Sequence, residues 1–87
     1  MNEKSFPLTI AKKGDILIVD RMEVTPMERR RLNDIGLLKK STIRVVNKLG
    51  KYPIIQVKNT VIAIGKSIAS KIFCYFKEQD TEDEKKL

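Results

Sequence analysis

The stretch TPMERRRLNDIGLLKKSTIRVV, residues 25–46, decides the fold. It opens on a helix start: Thr25 can cap, Pro26 suits the first helical position, and Glu28 can complete a capping box. It carries an equally clear stop, because Gly36 can take the left-handed conformation and Leu37 can fold back onto the last turn as in a Schellman motif. Together these signals predict a helix over 26–35, about three turns long. At about 100° per residue, Met27, Leu32 and Ile35 share one stripe, which is expected to face the core. Arg29 and Arg30 then point to solvent, and Arg30 stands four residues before Asp34, a spacing that favours an ion pair. Arg31 falls inside the apolar arc, where its stem can lie along the core edge. The triple arginine is therefore three residues in three environments rather than a basic arm.

Beyond the glycine stop the pattern becomes strand-like. In STIRVVNKL, Ile43 and Val45 face one way and Thr42, Arg44 and Val46 the other. A loop is expected over Leu49–Pro53. IIQVK then places Ile55 and Val57 together, and a tight turn at Lys58-Asn59 fits because Asn tolerates positive φ. TVIAI returns antiparallel with Ile62 and Ile64 on one face. GKSIASKI predicts one helical turn leading into a last strand, IFCYF. Upstream of the helix, Gly14-Asp15 marks a turn before ILIVDRMEV, a strand rich in β-branched residues whose later part puts Met22 and Val24 opposite Arg21 and Glu23. With no βαβ repetition, nothing points to a doubly wound fold, and the chain is expected to be mainly β: a small barrel of about five short strands with one inserted α-helix and one short helical turn. Residues 1–6 are expected to be a mobile lead-in, 7–76 the folded domain, and 77–87 a charged, disordered tail.

Charge divides one residue past that boundary. Residues 1–77 hold 16 Lys and Arg against 6 Asp and Glu, a net +10; residues 78–87 hold 2 against 5, a net −3. A basic body fits nucleic acid, an anionic membrane surface or an acidic protein face. Lys39, Lys40, Arg44, Lys48, Lys51 and Lys58 could contact phosphates. The five aromatic residues are too few for a stacking platform, however, and three of them crowd into the last strand. Nucleic-acid binding therefore stands as the alternative reading.

Residue types remove most catalytic chemistry. The 87 residues include no histidine and one cysteine, Cys74. A Ser-His-Asp or Cys-His arrangement is impossible, and so is a zinc site built from Cys and His. Cys74, flanked by Phe73 and Tyr75, reads as a small core hydrophobe. A single cysteine forms no internal disulfide, and no signal peptide or 18-residue apolar run is present, so a cytoplasmic location is expected. Gly65-Lys66-Ser67 resembles the end of a phosphate-binding loop, but Thr60 stands where that motif needs its first glycine. The acidic residues of the tail read as a solvated end rather than a cation site. No metal, cofactor or catalytic group is expected.

The ordered series over about residues 7–76 resembles the FeoA family of bacterial ferrous iron uptake. Arg30, Leu32, Ile35, Gly36 and Leu37 match its R-x-L-x-x-(L/M)-G-(L/I/M) helix end, and Pro53, Ile62, Ala63, Ile64 and Ala69 match its later hairpin and turn. AKKGDILIV is similar to the family's first turn and strand. Lys39-Lys40 stand where the family often has Pro-Gly, and Gly65 where it has a basic residue. The resemblance implies an SH3-like barrel without enzymatic activity, docking on the cytoplasmic part of a membrane ferrous iron transporter that carries a G domain. It leads us to expect the partner-binding surface at the helix exit: Arg29, Arg30, Leu38, Lys39 and Lys40, a basic rim beside apolar side chains. Proximity to an anionic membrane surface and a monomer or weak homodimer fit the same picture.

Overall fold

Alternation along the strands translates directly into an inside and an outside. The computed structural model describes residues 4–78. Six strands follow one another as β1 (Phe6–Pro7), β2 (Ile16–Met22), β3 (Thr42–Leu49), β4 (Tyr52–Val57), β5 (Thr60–Ala63) and β6 (Ile72–Phe76). A 3₁₀ turn, Leu8–Ile10, follows β1; helix α1 (Pro26–Asp34) joins β2 to β3, and the one-turn helix α2 (Lys66–Ala69) joins β5 to β6. All pairings are antiparallel, in the spatial order β1-β6-β2-β3-β4-β5.

The inner face carries Leu17, Val19, Ile43, Val45, Ile55, Val57, Ile72 and Cys74, all buried. Leu8 and Ala11 close one end, and Leu32, Leu37, Ile64 and Ala69 complete the core from the helices and loops. Each large side chain buried in this way contributes roughly 1.5–3 kcal/mol. Two bulges interrupt the alternation, between Val19 and Arg21 in β2 and between Val45 and Asn47 in β3. The first turns both Val19 and Asp20 inward.

The helix signals form as expected. Thr25 accepts from the Glu28 amide at 3.1 Å while Glu28 accepts from the Thr25 amide at 3.0 Å, a complete capping box. At the other end Gly36 stands at φ +94°, with Leu37 N–H donating to the Leu32 carbonyl and Gly36 N–H to that of Asn33. That is the Schellman pattern, and it plants Leu37 in the core.

Several local expectations are corrected. Met27 is 66% exposed rather than part of the buried stripe. Arg31 reaches it from one turn on, 3.8 Å from Sδ, instead of lying along the core edge. No residue of the first helical turn is buried; Leu32 in α1 and Leu37 after it do the packing. Among the described residues Arg30 and Asp34 form no ion pair, whereas Arg21 pairs with Asp20 and Glu23. The expected loop over Leu49–Pro53 shrinks to a two-residue turn, with Leu49 paired to Tyr52 and Lys48 to Pro53. In the next turn Lys58, not Asn59, takes the positive φ, at +54°. A sixth strand is added where the lead-in was expected: Phe6 pairs with Cys74 and Pro7 with Phe73. The expected tail lies, from residue 79, outside the described residues.

Candidate functional site

The loop from Gly36 to Ser41 carries three of the expected site residues, and Ser41 holds it in shape. Its hydroxyl donates to the Gly36 carbonyl at 3.1 Å and accepts from the Leu38 amide at 2.8 Å, while its own amide donates to the Leu38 carbonyl. The loop is stitched to β2 by Lys40 N–H to the Val19 carbonyl and Val19 N–H to the Ser41 carbonyl. On this mount Leu38 is 42% exposed, with Lys39 and Lys40 exposed beside it. Lys40 stands at φ +77°, a backbone region that costs an L-residue about 1–2 kcal/mol. Its ammonium lies 3.3 Å from the Tyr75 hydroxyl and 5.6 Å from the ring centre.

The two expected arginines are used differently. Arg29 is exposed, as expected, and its guanidinium also donates to the Met22 carbonyl at 2.8 Å, tying α1 to the end of β2. Arg30 is exposed on the helix. The structure thus brings Leu38, Lys39 and Lys40 together, whereas Arg29 is engaged by the backbone. Lys48 is also engaged: its ammonium donates to the carbonyls of Thr9 and Ala11, both at 2.6 Å, pinning the 3₁₀ turn to β3.

Arg21 and Glu23, expected on one strand face, turn out to belong to an ion-pair cluster that also takes in Asp20. Arg21 donates to Asp20 at 3.1 Å, to Glu23 at 2.8 Å and to the Ser5 hydroxyl at 3.1 Å, with its guanidinium 4.1 Å from the centre of the Phe73 ring. The Glu23 carboxylate first, and Asp20 with it, hold this guanidinium more firmly protonated. Asp20 is 3% exposed, placed inward by the bulge. Burial, with the Asp20 charge as a smaller cause, pushes the Cys74 thiol up to about 12, so Cys74 stays a protonated core residue. Among the described residues no three His, Cys, Asp or Glu side chains gather into a metal-holding group.

Comparison with known proteins settles the family. The FeoA domain model matches residues 6–75. The chain belongs to the FeoA family. A relative from Methanocaldococcus jannaschii, named Fe(2+) transport protein A, is 32% identical over 80 residues, covering 92% of this chain and 98% of its own. The crystal structure of an iron uptake regulatory protein (FeoA) superposes with a TM-score of 0.71 at 29% identity, covering 82% of this chain and 94% of that one. The solution structure of FeoA from Chlorobium tepidum gives 0.76 at 25% identity, covering 86% and 73%. A manganese-dependent transcriptional repressor shares the fold, with a TM-score of 0.79 at 18% identity over 88% of this chain and 39% of that one. The FeoA match fixes the architecture as SH3-like and the setting as Fe(2+) transport. Among the described residues of this FeoA domain no helix is long and apolar enough to cross a membrane.

Proposed function

We propose that this chain is a non-enzymatic docking module of ferrous iron uptake, acting in the cytoplasm on the G-domain-bearing part of a membrane iron transporter. The observation that carries the reading is the exposed Leu38 between a glycine-stopped helix and two lysines, on a loop held by Ser41 and by β2. A rigid apolar side chain in a basic frame is how protein interfaces anchor, with the apolar residue desolvated at the centre and the charges at the rim. The family supplies the transport setting.

Replacing Lys39→Glu together with Lys40→Glu reverses the rim while leaving the core untouched. The double variant is expected to melt within a few degrees of the parent and to lose capture of the transporter's cytoplasmic domain in a pull-down. Undiminished capture would remove the rim from the interface.

A further inference from the structure

We propose that the outer face of the sheet at the Arg44 end is a second docking surface, built for an acidic protein segment that carries apolar side chains between its carboxylates. The surface follows from register. Lys77 N–H bonds the Ile16 carbonyl, Ile16 pairs with Arg44, Arg44 with Gln56, and Gln56 with Val61. These residues form one row across the sheet, pointing away from the core. At about 4.8 Å per strand, Lys77 and Arg44 stand roughly 10 Å apart with Ile16 between them. Lys58 and Thr42 join them in lining a shallow groove of about 290 Å³.

Three features separate this groove from an ordinary solvated face. First, it holds three cations, Arg44, Lys58 and Lys77, and among the described residues no carboxylate lines it. Asp15, next to Ile16 in the chain, turns away to accept the Lys12 amide at 2.8 Å. Second, Ile16 is 39% exposed at the centre, giving an apolar contact inside the charged frame. Third, Lys58 occupies a left-handed turn position, φ +54°, where glycine would relieve steric strain. Lys40, at φ +77° near Tyr75, repeats that feature outside the groove's lining. Backbone stability alone favours glycine at both places; keeping a cation there fits a requirement for charge.

The complementary ligand is negative and partly apolar. A nucleic-acid strand meets the charge but needs ring faces for stacking. Among the described residues no aromatic side chain lines the groove, and Tyr75, opposite Ile18 in the next row, is half-buried with the Lys40 ammonium over its ring. An acidic protein segment uses the cations and Ile16 together. This surface does not depend on the identity of the rim's partner, because the assay below uses a synthetic ligand and can succeed where the transporter pull-down fails.

The test is fluorescence anisotropy of a labelled peptide alternating Glu and Leu, titrated with the full chain at low and high salt. Binding that weakens with salt is expected. Arg44→Gln and Lys58→Gly should each weaken it about two- to fivefold, the range of exposed ion pairs. Lys58→Gly is expected to melt at or above the parent temperature, and Arg44→Gln provides a second variant that leaves the turn untouched. Equal binding of a Gln-Leu peptide, no effect of either variant, or tighter binding of oligothymidine would overturn the proposal. So would peptide binding that arises only when Asp80, Glu82, Asp83 and Glu84 are neutralised in the full chain, which would make the chain's own acidic end the occupant.

Discussion

Two arginines on the same outer sheet face meet opposite fates. Arg21, in β2 just past the bulge, lies over Phe73 and donates to Asp20, Glu23 and Ser5. Arg44, in β3, faces Ile16 and Gln56 across the strands and lines a groove without a carboxylate among the described residues. Both are arginines in strands of a basic chain, so composition cannot tell them apart. Their neighbours can: at the Arg21 end charge is matched within the fold, and at the Arg44 end no carboxylate among the described residues lines the groove. The first arrangement stabilises the domain, and the second is the surface proposed for docking.

The largest expected effect breaks the matched end. Asp20→Asn removes a buried carboxylate that receives a charge-assisted hydrogen bond from Arg21. Such bonds contribute about 1.5–3 kcal/mol. In a domain of this size that lowers the melting temperature by about 10 °C. Arg21→Ala should act in the same direction, because it takes the guanidinium from the buried Asp20 and uncovers Phe73. Arg44→Ala should stay within about 0.5 kcal/mol of the parent, as surface substitutions usually do. Thermal melts of the three variants decide the matter: an Arg44→Ala loss as large as that of Asp20→Asn would mean that both ends are structural.

A smaller effect sharpens the comparison at two left-handed backbone positions that lie close together. A Cβ placed on Gly36 would come 3.4 Å from the Lys58 side chain. Gly36 at φ +94° serves the helix stop, so Gly36→Ala should cost about 1–2 kcal/mol, read from urea midpoints. A cost below the measurement error would show that the turn relaxes freely, and the strain argument for Lys58 would go with it.

Where the sequence was legible, the determinants were local. Thr25, Pro26 and Glu28 announce the helix and Gly36-Leu37 end it, because capping bonds span three to five residues and need no tertiary context. Ile43 with Val45 and Ile55 with Val57 declare their inward faces by period two. What stayed hidden depended on register or position. The bulge at Asp20 shifts the alternation by one residue, which no pattern within β2 announces. Met27 has the right helical phase but sits in the first turn of α1, where no side chain is buried. The two-residue β1 is too short to show a period at all. The helix-exit residues Leu38, Lys39 and Lys40 could be singled out from the glycine stop before them, whereas Arg44, Lys58 and Lys77 come together only once β2, β3, β4 and β6 are aligned.

The smallest effect uses acid. Glu23 and Asp20 belong to the Arg21 cluster, and Glu28 caps the helix that leaves that end of β2. The Glu28 carboxylate, accepting the Thr25 amide, is held below its ordinary value of 4.5, with Lys71 and Arg31 as minor aids. A depressed carboxylate stabilises the fold while ionised: its contribution is present above pH 4.5 and is lost as pH falls through the lower folded value. Glu28→Gln keeps an acceptor for the capping box but removes the titration. Parent and variant should therefore differ slightly in urea midpoint at pH 7 and draw together in acid, below the folded value of Glu28, whereas Arg44→Ala should leave the acid dependence of the parent unchanged. A parallel offset of Glu28→Gln at neutral and acid pH would assign the cap's effect to hydrogen bonding alone. A changed acid slope in Arg44→Ala would mean that a carboxylate reaches the groove after all, and the two ends of the sheet would no longer differ in kind.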